Sequence, residues 1–206
     1  MTRIETPQLK WMRITFFNQI DFVCPRLTKF ISCTPTLQAR NSDNARVEFN
    51  DWVTSVTLPV GVGALEISIS CIEPGWQLSS IAQVCNSSLP RPSTVQDLYM
   101  EYQYLRLVWK DNAIDNALWL EFLLPFITVK NLYLSKEFAP GIATALQGLI
   151  GGITEVLPSL QSIFVEGLEP SGPFQKNVGE FVAWRQLSGH PIAISVWDKD
   201  FDMKSM

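Results

Sequence analysis

Apolar residues in this chain recur at a fixed local spacing. Val129, Leu132 and Leu134 give the clearest case, matched by Val95, Leu98 and Met100 and by Leu160, Ile163 and Val165. Fainter copies are Ala64, Ile67 and Ile69 upstream and Pro191, Ile194 and Val196 downstream. Leu9, Met12 and Ile14 also fit, and Asn44, Val47 and Phe49 fit in part. The central positions 12, 47, 67, 98, 132, 163 and 194 lie 35, 20, 31, 34, 31 and 31 residues apart. A period of this size marks a repeat architecture, in which each unit is too small to bury its own apolar face and stacks on its neighbours.

Between the β-like runs the periodicity lengthens to that of helices. Leu27, Phe30 and Ile31 share a face after Cys24-Pro25, where proline suits the first helical position, and Pro35 closes that segment. Trp76, Ile81, Ala82 and Cys85 form the next apolar face. Leu118, Phe122 and Leu123 form another over 116–126, with Pro125 as terminator. Ile142, Leu146 and Leu149 follow Ala139-Pro140, up to a break at Gly151-Gly152. Val178, Phe181, Val182 and Trp184 define a helix over 175–187 that Gly189 stops. Strands are expected at 12–17, 46–49, 95–102, 129–134, 160–166 and 192–197. A local hairpin of 53–58 and 64–70 is expected where the step falls to 20. Each unit is then a strand and a returning helix, which favours parallel pairing through right-handed crossovers. Stacked units predict an α/β solenoid, with a parallel sheet on the concave side and helices on the convex side. Tetratricopeptide and ankyrin repeats share the period but need two helices per unit, and runs such as Ile163-Phe164-Val165 oppose them. One domain over 12–198 is expected, between a lead-in at 1–11 and a polar tail at 199–206.

Composition narrows the function. The 206 residues are 47% hydrophobic and 17% charged, enough to bury a sizeable core. A net charge of −4 gives no electrostatic case for nucleic acid or an anionic membrane. Cys24, Cys33, Cys71 and Cys85 lack CxxC spacing, and the polar opening is no signal peptide. Reduced, packed thiols and a cytoplasmic or nuclear location are expected. The most apolar run, 117–129, is interrupted by Glu121 and Pro125 and is too short to span a bilayer. In such a chain the sequon Asn86-Ser87-Ser88 reads as chance.

Chemistry is sparse. His190 is the single histidine, and no G-x-S-x-G elbow accompanies it, so it reads as a helix-ending turn residue. Asp198, Asp200 and Asp202 start like a calcium loop, but Met203 stands where that loop needs glycine. Gly61-Val62-Gly63 is half a dinucleotide fingerprint, with Glu66 in the third glycine position. Glu101 and Glu166 occupy equivalent points of different units and make a conceivable acid/base pair. No catalytic residue, cofactor or metal site is assigned. The stronger signal is alternation. If Leu98/Met100, Leu132/Leu134 and Ile163/Val165 point inward, then Tyr99, Tyr133 and Phe164 point outward, flanked by Glu101, Ser135 and Glu166. Stacked aromatics with a charged fringe make an amphipathic surface for a protein partner.

Several longer phrases carry a resemblance: 30–37 (FISCTPTL), 76–80 (WQLSS), 124–126 (LPF), 131–140 (NLYLSKEFAP), 155–158 (EVLP) and 167–173 (GLEPSGP). They are similar to the degenerate leucine-rich-repeat region of a large family of F-box proteins in mushroom-forming fungi. The resemblance covers nearly the whole chain and implies an irregular leucine-rich-repeat-like solenoid. It also implies the substrate-recognition half of a ubiquitin-ligase adaptor, whose F-box would dock a cullin-RING ligase. No Leu-Pro-x-Glu start or three-helix F-box precedes Met12, so the chain reads as the repeat region alone, with an unknown protein substrate as partner. Gln103, Glu137 and Leu168 replace the asparagine that ordinary repeats carry after the strand. The alternatives are a small hydrolase or transferase using His190 or Glu101/Glu166, and a fragment with no independent function.

Overall fold

A computed structural model describes residues 11–17, 43–60, 63–70, 73–87, 94–103, 114–150, 156–168 and 173–199. Strands β1 (Trp11–Phe17), β2 (Asn44–Phe49), β3 (Val53–Val60), β4 (Gly63–Ser70), β5 (Asp97–Tyr102), β6 (Asn131–Leu134), β7 (Ser162–Glu166) and β8 (Ala193–Trp197) form one open sheet. Helices α1 (Pro74–Ser87), α2 (Asn116–Leu123), α3 (Ala139–Gln147) and α4 (Pro173–Leu187) contact one another in sequence. The expected helix near 24–34, the glycine pair 151–152, the turn at 169–172 and the polar stretch 109–112 lie outside the described residues.

The strand order is β1-β4-β3-β2-β5-β6-β7-β8. From β2 through β5 to β8 every pairing is parallel, and each connection from β5 onward carries one helix. Strand and returning helix alternate here as the spacing implied, in an open, mostly parallel sheet. The register is in phase across it: Ala45, Leu98, Leu132, Ile163 and Ile194 form one row, and Val47, Met100, Leu134, Val165 and Val196 the next. The first half departs from the expected uniform parallel stack. β2, β3 and β4 form an antiparallel meander, and β1 pairs in parallel with β4 instead of β2. The expected hairpin exists as β3–β4, but β2–β3 is a second one. Its tight connection is held by Asn50 Oδ1, which accepts from the Trp52 and Val53 amides at 2.9 and 2.7 Å. Connections of three and two residues leave no room for a crossover helix, so these strands must run antiparallel.

One core fills the space between the sheet and the helices. Val47, Phe49, Val56, Leu65, Ile67, Leu98, Met100, Leu132, Leu134 and Ile163 are inaccessible to solvent. They meet Leu78, Ile81, Ala82, Phe122, Leu123, Ile142, Leu146, Val178 and Phe181 from the helices. Each such side chain contributes roughly 1.5–3 kcal/mol of burial, and this determines which face of each strand turns inward. Trp76, expected in the apolar face of α1, is instead 65% exposed, whereas Trp119 on α2 is buried. Trp76 sits in the first turn, beyond the sheet-facing stripe that Ile81, Ala82 and Cys85 define. Burial also pushes the Cys85 thiol far above its ordinary range, which makes it an inert packing residue.

Helix ends follow local chemistry. Asp115 accepts from the Ala117 amide at 3.0 Å to start α2, and α2 stops before Pro125. α4 ends where Gly189 adopts φ +81° and the His190 amide bonds back to the Arg185 carbonyl at 2.9 Å.

A second ladder joins the units at the entry to each strand. The Asp43 carbonyl accepts from the Gln96 and Asp97 amides, Gln96 from Lys130 and Asn131, and Lys130 from Gln161 and Ser162. Side chains repeat the theme: Asn131 Nδ2 donates to Asp97 Oδ1 at 2.6 Å, and Lys130 Nζ to Gln96 Oε1 at 2.9 Å. The Thr128 hydroxyl donates to the Val95 carbonyl and the Ser159 hydroxyl to that of Ile127, both at 2.9 Å. Polar loops are thereby satisfied by the preceding unit and not by water alone.

Candidate interaction face

The sheet face turned away from the helices has a different character. Tyr99, Tyr133 and Phe164 are register partners on β5, β6 and β7. Their rings stack nearly parallel, 4.3 Å apart for Tyr99–Tyr133 and 4.6 Å for Tyr133–Phe164, at 10° and 9°. Parallel in-register pairing places identical positions side by side, so a planar side chain recurring once per unit must stack. Tyr133 and Phe164 keep part of their surface in solvent.

Tyr99, at the other end of the row, is only 9% exposed. The Arg46 guanidinium from β2 lies 5.5 Å from its ring centroid, and the Trp197 ring lies 6.0 Å away. Trp197 also meets Tyr133 edge-to-face at 5.6 Å and 63°. Strands sit about 4.8 Å apart, so β8 and β5 are separated by roughly 14 Å across the sheet. For a ring on β8 to reach one on β5, the end of β8 must lean over this face. The chain continues the same way, and Lys199 Nζ comes 3.0 Å from Glu101 Oε2. Arg46 Nε approaches the other carboxylate oxygen at 3.2 Å.

Glu101 is therefore 1% exposed, a buried carboxylate between two cations. Its position shows how far the sequence-derived face matches the structure. Tyr99, Glu101, Tyr133, Phe164 and Glu166 do share the face, but Glu101 is engaged internally and Tyr99 lies under Trp197. Ser135, expected on the fringe, is fully buried. Just past β6, its amide donates to the Met100 carbonyl at 2.9 Å and its hydroxyl accepts from the Tyr102 amide at 3.2 Å. Strand alternation stops holding where the strand ends, which is why parity misplaced it. Arg46 and Trp197 were missed although their parity points to this face, whereas nothing in the spacing marks Lys199.

The rest of the face is acidic. Glu48, the register partner of Glu101, is partly buried, and burial raises its carboxyl above the usual range. The charge of Glu101 adds to that rise, and Arg46 and Lys199 oppose it. Glu66 accepts from the Ser68 hydroxyl at 2.9 Å. On the opposite, helix side of β5, Tyr102 packs against Phe138 and donates to Asp51 at 2.6 Å; its phenol is pushed well up, first by burial and then by that bond.

The residues of the enzyme alternative do not converge. Glu101 and Glu166 flank the Ser135 position on strands two apart, roughly 10 Å of sheet. His190 lines a cleft of about 240 Å³ with Leu149, Val156, Phe181, Trp184, Arg185 and Ser188, and this lining contains no carboxylate. Arg185 is buried there and donates to the Pro158 and Leu160 carbonyls at 2.9 and 3.3 Å. Among the described residues no group of three His, Cys, Asp or Glu side chains is placed to hold a metal ion. No described helix is long and apolar enough to cross a membrane. No protein-family model matches the chain, and no curated protein is significantly similar to it.

Proposed function

We propose that this chain is a non-catalytic protein-interaction domain that binds through the sheet face carrying Tyr99, Tyr133 and Phe164. The observation that supports this reading most is the stacked aromatic row on the side of the sheet that none of the described helices covers. A row of rings half-open to solvent and bordered by carboxylates offers the mix of apolar area and polar handles on which binding hot spots are built. In-phase parallel units from β5 to β8 favour an irregular leucine-rich-repeat-like solenoid with this face concave. The role then resembles substrate recognition by F-box adaptors, with ligase docking left to an F-box in a longer form.

Affinity capture tests it. Replacing both Tyr133 and Phe164 by Ala should remove specific partners from the captured set while circular dichroism stays unchanged. Recovery of the same proteins by wild type and double variant would overturn the reading.

A further inference from the structure

The aromatic row already has an occupant, and it belongs to the chain itself. Trp197 is 4% exposed because its ring is laid against Tyr99 and Tyr133. Two residues on, Lys199 pairs with Glu101 and lies 6.0 Å from the Trp197 ring centroid. An aromatic ring and a cation, two positions apart, thus meet an aromatic platform and a buried carboxylate. Val196, between Ser195 and Trp197, is 63% exposed, so beyond its backbone pairing with β7 the end of β8 is held by side chains on this side.

We infer that residues 197–199 are a self-ligand: the face recognises partner peptides with an aromatic residue followed two positions on by Lys or Arg, and Trp197 and Lys199 compete for the same place. The inference rests on the binding reading above and gives it a ligand class and a means of control. Three features of the face support it. The contacts that hold Trp197 are made by the residues the binding reading needs, Tyr99 and Tyr133. The only cations that the ion pairs bring to Glu101, among the described residues, are Arg46 and Lys199, so displacing the segment removes one of them. Glu48 and Glu66 add negative charge nearby, which favours an incoming cation over an acidic peptide. A tethered segment acts at a high effective concentration, of order mM for short flexible links, so modest contacts are enough to suppress binding in trans. An incoming peptide has to outbid that segment, and its apparent affinity falls by the fraction of open chains.

The probe is a fluorescein-labelled pentapeptide, Ser-Val-Trp-Asp-Lys, which copies residues 195–199. Fluorescence polarisation should show at least tenfold tighter binding to Trp197→Ala and to Lys199→Glu full-length chains than to wild type. Binding should be lost when Tyr133→Ala is added to either, or when the peptide's Trp is replaced by Ala or its Lys by Glu. Lys199→Glu keeps the Trp197 side chain but sets a carboxylate against Glu101, so it opens the face by repulsion and decides the matter if Trp197→Ala does not fold. Equal binding to wild type and folded opened variants, or no binding to any of them, overturns the inference. So does dimerisation of the opened variants by segment exchange without peptide binding. If the peptide fails but partner capture still depends on Tyr133 and Phe164, the self-ligand falls and the binding face stands. If capture is also insensitive to them, both fall.

Discussion

The two faces of one strand, β6, solve different problems. Leu132 and Leu134 point to the helices and lose all contact with solvent, in a core where Leu98, Ile163 and Met100 fill every neighbouring row. Tyr133, between them, points the other way into a row of rings that stays partly open. Burial on the helix side is complete at these positions, whereas the opposite face combines modest stacking with an internal ion cluster. The first face holds the structure together. The second carries the stacked rings and ion cluster on which the proposed binding rests.

The largest effect that probes this division is expected on the helix side. Leu132→Ala should lower unfolding free energy by about 3 kcal/mol in denaturant titrations, since a close-packed core leaves a cavity where the side chain was. A loss below about 1 kcal/mol would mean that this side is looser than described.

The ion cluster comes next. Glu101→Gln removes the charge between Arg46 and Lys199 and should destabilise the chain by about 1–2 kcal/mol. It should also weaken the hold on Lys199, raising exchange of backbone amides around 197–199. Unchanged exchange there would separate the ion pair from the position of that segment.

The smallest effect is one of pH. The folded-state carboxyl of Glu48 is raised by burial and by Glu101, so the native state binds that proton more tightly than the unfolded chain does. Its contribution is full below the unfolded carboxylate range and is lost as pH rises through the higher folded value. Glu48→Gln should therefore remove a decline in melting temperature as pH rises above the ordinary glutamate range. A steeper decline in the variant would contradict the assignment.

Much of the architecture was visible in the alternation of apolar residues. Val129, Leu132 and Leu134 are inaccessible, as are Leu98, Met100 and Ile163, with Val95, Leu160 and Val165 nearly so, although Val196 at the sheet edge is exposed; the period located β5, β6, β7 and β8. The antiparallel meander was only half visible, because Asn50 and the short connection at 50–52 create a turn that a repeat pattern does not encode. The entry ladder through Asp43, Gln96 and Lys130 was invisible, since backbone carbonyls carry it. On the interaction face, parity found the rings but not their cover. Trp197 reaches Tyr99 only because the sheet edge leans inward, a property of the packed whole. Ser135 shows the reverse failure, a residue assigned by strand parity just beyond the end of its strand.

The central claim is that Leu132 and Tyr133, adjacent on β6, serve folding and binding respectively. Its most direct test is to measure unfolding free energy and partner capture side by side for Leu132→Ala and Tyr133→Ala. Tyr133 keeps two stacking contacts and one edge contact, so its loss should cost about 1 kcal/mol, well short of the core variant. It should nevertheless abolish capture, while the Leu132 variant retains capture under conditions where it stays folded. Equal destabilisation by the two substitutions, with capture intact for Tyr133→Ala, would contradict the account.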